Sequence, residues 1–284
     1  QTCALPISSN FRRYLSSNDR GCAMNFLSIG ISRARLEIKQ FSRQRESVVF
    51  ILLFPILLLL IFGSVFKNSI APQVTFSQYF VAGMIASGLL NTGFQQLAIT
   101  IPLERDDGTL KRLRGTPMPP SAYFFGKTIS VLFYMKIQII LLLVVGALAF
   151  DINIPTDIGH WITFIWVTLL GITSSTLLGI AFSSVPRSGR GASAVVTPIV
   201  LVLQFISGVF FIFDQLPHWM QQVASIFPLK WMTQGMRSVF LPESFAANEV
   251  GGSWQHGTTA IVLSVWVVIG LVLALKTFRW ERSR

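Results

Sequence analysis

The chain has 284 residues, of which 52% are hydrophobic and only 12% charged, with a mean hydropathy of +0.60. A soluble domain carries about 25% charged residues, so too little polar side chain is present to coat a water-soluble core of this size, and most soluble enzymes and intrinsic disorder are excluded. The charge leans cationic, with 23 Lys and Arg against 12 Asp and Glu, which on so apolar a chain points to loops facing anionic lipid and not to nucleic acid.

In chain order, Gln1 to Ser8 resembles the translation of a sequencing adapter, and Met24 opens a stretch with the character of a native N-terminus. Residues 1–23 are therefore expected to be a non-native leader, the alternative being a basic leader. Both cysteines, Cys3 and Cys22, fall within it, so neither a disulfide framework nor a metal cluster is expected. No secretory signal pattern is visible.

Residues 24–47 read as a cytoplasmic amphipathic helix. Leu27, Ile31, Ala34, Ile38 and Phe41 recur at helical spacing on one face, and Arg33, Arg35, Glu37, Lys39 and Arg43 occupy the other. Such a helix suits either the surface of the inner leaflet or a neighbouring protein surface.

From residue 48 onward, six apolar runs are each long enough to cross a core of roughly 30 Å at 1.5 Å per residue. They are Val48–Phe66, Tyr79–Ile101, Ile129–Phe150, Trp161–Val185, Ala194–Phe213 and Thr258–Thr277. Nineteen cations flank one side of these runs, while Lys67, Lys230 and Arg237 fall on the other and Lys136 lies within a run. Cations mark the cytoplasmic side, so the expectation is an all-α polytopic membrane protein with six transmembrane helices and cytoplasmic N- and C-termini.

The connection 102–120 holds Glu104, Asp106 and Asp107 ahead of Lys111, Arg112 and Arg114. On one short helix that order would complement the dipole, with Gly115, Pro117, Pro119 and Pro120 as the stop. Thr109, Leu110 and Leu113 would give the helix a partly apolar face for docking on another protein; a solvated charged loop is the alternative.

The stretch Glu104-Arg105 with Gly108-Thr109-Leu110-Lys111-Arg112-Leu113-Arg114-Gly115-Thr116-Pro117 resembles the cytoplasmic loop of type-two ABC exporter permeases. Leu203 to Phe211 (LQFISGVFF), followed by Leu216-Pro217, Phe227-Pro228-Leu229 and Gly235-Met236-Arg237, is similar to that family's fifth span and the outer segment after it. The drug- and antibiotic-resistance exporters are the branch it resembles most. The resemblance implies a permease working as a homodimer or beside a paired permease subunit, with separate ABC ATPase subunits that bind the ATP. It implies a coupling role for Glu104, Arg105, Gly108, Thr109, Leu110, Lys111, Arg112, Leu113 and Arg114, contact of the N-terminal helix with the ATPase, and short re-entrant or interfacial helices within an extracellular segment 214–257.

The residues give an independent reason to expect an external power source. Ion-coupled carriers keep a titratable carboxylate inside a span, and all twelve acids here lie outside the apolar runs. No G-x-x-x-x-G-K-[ST] phosphate loop is present, so no cofactor is expected on this chain. Candidates for a translocation path are Asn91, Gln95, Gln138 and Gln204, with Gln96 beside them and Lys136 as the one charge in a span. Interhelical hydrogen bonding is the alternative for the amides, and snorkelling to the interface for Lys136. Gly83 and Ser87, and Gly171, Ser175 and Gly179, form small-residue stripes suited to close packing within the chain or to a dimer seam. His160, His218 and His256 lack metal-type spacing and no G-x-S-x-G elbow occurs. The expected function is a cell-membrane permease moving a hydrophobic or amphipathic substrate such as a drug, antibiotic, lipid or glycan. An intramembrane enzyme or an ATP-independent channel is the rival reading.

Overall fold

The computed structural model describes residues 19–43, 45–66, 69–72, 74–115, 120–152 and 154–278. Most of the expected leader and positions 116–119 of the loop lie outside the described residues. Helix α1 (Asp19–Arg43) is followed by α2 (Arg45–Val65) and a two-stranded antiparallel ribbon, β1 (Ser69–Ala71) and β2 (Val74–Thr75). Next come α3 (Phe76–Leu90), a π-helical turn (Asn91–Gln95), α4 (Gln96–Asp106), α5 (Thr109–Arg114) and α6 (Pro120–Phe150). The chain continues with α7 (Ile158–Phe182), α8 (Gly189–Ile206), α9 (His218–Ile226), α10 (Pro228–Phe240) and α11 (His256–Thr277).

Each apolar run is helical over most of its length, because a backbone surrounded by hydrocarbon satisfies its own polar groups most simply that way. By length and composition, four helices among the described residues can cross a membrane: α6 from Ala122, α7, α8 and α11. The apolar part of α2 within these bounds, Ile51–Val65, is shorter.

The second run is one rod interrupted by the π turn. Leu90, Asn91, Gln95 and Gln96 all keep right-handed helical dihedrals, so the axis continues from Phe76 to Asp106. Thr75 starts it with a capping box, its side chain accepting from the Gln78 N–H while the Gln78 side chain accepts from the Thr75 N–H. This rod is the centre of the molecule. Every residue of α3 is buried, with α10, α6, α2 and α7 packed around it, while α4 lies against α8 and α7.

The outer surface is apolar. Leu148, Leu275 and Ile261 are 83%, 77% and 65% exposed, a pattern that water would penalise and a bilayer accepts.

Several expectations need correction. The fold is helical apart from the β ribbon, which covers Tyr79, Leu241, Phe245 and Trp254 in a small second core. The fifth run, expected to Phe213, ends as helix at Ile206, and Gly208 turns the chain at φ +76°. On α1, Ala34, Ile38 and Phe41 face the protein, but Ile31 is 45% exposed and Arg33 and Glu37 point inward. The inward face is rotated toward Gly30 because α6 offers charge partners there and Gly126 of α6 lets the backbones close: a Cβ on Gly126 would sit 2.7 Å from the Arg33 side chain. The side chain of Leu27 lies outside the described residues.

Candidate functional site: a charged junction at the basic end of the bundle

One end of the bundle exposes Lys111, Arg112, Arg187, Arg190 and Lys276. There α4 ends, and its last three residues reach three different partners. The Glu104 carboxylate turns inward, 9% exposed. It receives the Tyr123 hydroxyl at 2.8 Å and pairs with the Lys127 ammonium, both on α6. Lys127 Nζ also donates to Glu37 of α1 at 2.8 Å, and Glu37 pairs with Arg33 one turn earlier. The network holds two carboxylates and two cations, and the Tyr123 ring lies 5.6 Å from both cationic centres. Buried charges survive only when neutralised and hydrogen-bonded in this way. Tyr134 adds a further tie by donating to the Ile38 carbonyl at 2.8 Å.

Arg105 reaches the other way, donating from Nη1 to the Ser183 carbonyl at the C-terminal end of α7, 3.2 Å away. That carbonyl end carries negative partial charge, so a guanidinium suits it. Asp106 accepts the Gly189 N–H at 2.6 Å, at the first residue of α8, where an acid complements the positive end of the helix. The contact is close enough that a Cβ on Gly189 would lie 2.5 Å from Leu103 Cα. Consecutive residues thus fasten α4 to α1 and α6, to α7, and to α8.

Gly108, at φ +72°, reverses the chain into α5. Leu110 is wholly buried and Thr109 and Leu113 are half-buried, so α5 uses its apolar side to hold the bundle. Its outer side presents Lys111, Arg112 and Arg114, and Arg112 donates to the Asp107 carbonyl at 3.2 Å.

Farther along the rod, the Gln204 amide donates to Ser87 Oγ and Asn91 Oδ1, each at 2.9 Å, and Asn91 donates to Ser87 at 3.3 Å. Gln95 donates to Thr197 of α8 at 3.3 Å. These amides join the π turn to α8. Against its other side packs α7, where a Cβ on Gly179 would meet the Gly93 and Phe94 carbonyl oxygens at 2.8 Å.

A profile of the ABC-2 type transporter family matches residues 33–241. The chain belongs to that family. It is similar to the protein named transport permease YvfS of Bacillus subtilis, at 25% identity over 68% of this chain and 77% of that one. It also matches transport permease ycf38 of Porphyra purpurea, at 21% identity over 77% and 76% of the two chains. The match to multidrug ABC transporter permease YbhR of Escherichia coli, at 21% identity, covers 63% of this chain and about half, 48%, of the relative. The protein is accordingly an ABC-2 transporter permease and a multi-pass protein of the cell membrane.

Within this permease, the expected loop residues fall into two groups. Glu104, Arg105, Leu110 and, in part, Thr109 and Leu113 hold the junction, whereas Lys111, Arg112 and Arg114 form its surface. The acids were expected at the start of a short helix; instead Glu104 and Asp106 close α4 and Asp107 follows as its cap, where the dipole disfavours them, and specific donors compensate Glu104 and Asp106. Of the expected path residues, Asn91, Gln95 and Gln204 gather on the α8 side of the rod. Gln138 is buried on α6, against Gly88 and outside that cluster. Lys136 is exposed on the outer face of α6, apart from both groups. The small-residue stripes serve packing inside the chain: Gly83 faces the Val209 backbone, Gly171 faces Leu89 and Met232, and Ser175 faces Gly93.

Sequence reasoning missed Arg33, Glu37, Tyr123 and Lys127 as a unit. The available signal was the Arg33–Glu37 pair four apart on one helical face. It also missed the network at the opposite end. There Arg237, 1% exposed, donates to Glu249 at 2.6 Å and to the Tyr79 hydroxyl at 2.7 Å, fastening α10 to α3. Lys230 nearby donates to Gln234 and lies 3.7 Å from the Trp231 ring centroid.

Proposed function

We propose that this permease is the membrane subunit of an ATP-driven exporter, docked through the basic outer side of α5 on a separate ABC ATPase subunit. In this reading it crosses the membrane six times, by α2, the α3–α4 rod, α6, α7, α8 and α11, with both termini cytoplasmic. It works as a homodimer or beside a paired permease, and it moves a hydrophobic or amphipathic substrate outward, in the class of drug and antibiotic efflux. ATP and its hydrolysis belong to the partner, so this chain needs no cofactor.

The observation that supports the reading is the three-way fastening by Glu104, Arg105 and Asp106. A push on α5 cannot displace it alone. The buried pairs at its root pass the movement to α1, α6, α7 and α8 together, and rigid elements joined by packed polar contacts are how coupling is carried. Lys111 and Arg112 supply charge complementarity for an acidic docking surface, which steers association. The amides at the π turn give the moving parts a polar seam.

The test is charge reversal at Lys111 and Arg112 in the assembled transporter. The expected result is normal membrane insertion with loss of ATPase co-purification and of ATP-dependent export. Co-purification and export at the unaltered level would overturn the docking role, and export by this chain with no ATPase would overturn the exporter reading in favour of a channel.

A further inference from the structure

A crevice of about 330 Å³ runs between α8 and α11, floored by Phe94 of the π turn and by Leu178 and Phe182 of α7. Leu203 and Leu273 form its sides, and Phe227, at the corner between α9 and α10, closes its inner end. Among the lining residues, the two hydroxyls are already engaged: Ser184 and Thr277 both donate to the Ala181 carbonyl, at 2.9 and 3.1 Å. The Trp266 indole, also in the lining, donates to the Ile226 carbonyl at 2.8 Å. No side-chain donor is left to hold a polar ligand.

The crevice has the length of one leaflet. Its α11 wall runs from Trp266 to Thr277, eleven residues or roughly 16 Å, against about 15 Å for half the hydrocarbon core. Its flanks continue into lipid-facing surface, with Val202 of α8 58% exposed and Leu271 of α11 46% exposed. Two exposed cations adjoin its mouth along the chain, Lys276 just before Thr277 and Arg187 two residues beyond Val185. Among the described residues, the acids exposed at this end, Asp106 and Asp107, belong to the α4–α5 turn, and Asp106 is held by Gly189.

We propose that this crevice binds one acyl chain of an anionic membrane phospholipid, with the headgroup phosphate drawn to Arg187 and Lys276. Apolar lining, leaflet length and the two cations beside the mouth together select a chain with a negatively charged head. The inference rests on the chain spanning the membrane, and neither the energy source nor the direction of transport enters it.

The test is titration of the purified, delipidated full chain in detergent with phosphatidylglycerol or phosphatidylcholine carrying brominated acyl chains, read by tryptophan quenching. Saturable quenching at one lipid per chain is expected above the background from other exposed tryptophans such as Trp219, with the saturable part absent in Trp266→Phe and blocked in Leu203→Phe, whose larger ring fills the crevice. Phosphatidylglycerol should bind more tightly than phosphatidylcholine. Arg187→Gln and Lys276→Gln should each reduce that preference about fivefold, as expected for roughly 1 kcal/mol per surface cation, while leaving quenching itself in place. Both glutamine substitutions lie at exposed positions, so this arm does not depend on the larger substitution folding. Non-saturating quenching, equal affinity for the two lipids, or a preference unmoved by the glutamine variants would overturn the proposal.

Discussion

Lys127 sits between Glu37 and Glu104 with 3% of its surface exposed, so the consequences of altering the three residues differ. Lys127→Met leaves two carboxylates facing each other in a buried site and is expected to cost about 3–5 kcal/mol, the usual penalty for orphaning one side of a buried pair. Glu104→Gln keeps an acceptor for Tyr123 and leaves Lys127 its bond to Glu37, so its loss of thermal stability in detergent should be clearly smaller. Arg237 at the other end obeys the same logic. Glu249→Leu strands a guanidinium among Tyr79 and Thr233 and should destabilise by a similar amount, whereas Tyr79→Phe leaves the Arg237–Glu249 pair intact and removes a neutral hydroxyl that accepts from Arg237 and from the Phe213 N–H, for a smaller loss. Thermal melts of the four variants check both orders; equal losses within either pair would contradict the assigned partners.

At the scale of elements, the contact between the π turn and α7 leaves no room for a side chain. Gly179→Val places its branches against the Gly93 and Phe94 carbonyls and should separate α7 from the rod, lowering both melting temperature and transport, while Gly257→Ala at the open start of α11 should change neither. The helices themselves were legible, because runs of about twenty apolar residues admit few other structures in hydrocarbon. The π turn was not, since Asn91-Thr92-Gly93-Phe94-Gln95 carries no composition that distinguishes a five-residue turn from an ordinary one. The acids at 104–107 misled for a related reason. Read locally they suit the start of a helix, and only donors at positions 123, 127 and 189 explain Glu104 and Asp106 at the end of one. The polar amides at 91, 95 and 204 could be named from their rarity in a span, but not which of them meet.

For the whole molecule, the arrangement of charge and apolar surface makes a topology prediction that labelling can check. In a background with Cys3 and Cys22 replaced by serine, cysteines at Lys111 and Arg190 should react with a membrane-impermeant maleimide only after the cells are opened. A cysteine at Ser253, exposed at the far end beside the Arg237 network, should react in intact cells. The reverse pattern would invert the proposed orientation, and reaction of all three from one side would remove the odd number of crossings between residues 190 and 253. Two buried ionic networks, one at each end, leave the middle of the bundle held by apolar packing and neutral amides. That division places the rigid parts at the two surfaces and the compliant part between them.

The extra residue accommodated at Asn91–Gln95 also fixes a phase relationship. In an unbroken α-helix each residue advances the side chain by about 100°, whereas the wider π turn absorbs one extra residue with little net rotation. Deleting one residue there would leave Glu104, Arg105 and Asp106 near their present facing, while deleting one from the regular helix between Gln96 and Ile101 would swing all three away from the partners they now hold. The same single-codon excision is therefore expected to be tolerated within Asn91–Gln95 and to disconnect the machine at its far end when made a few residues later.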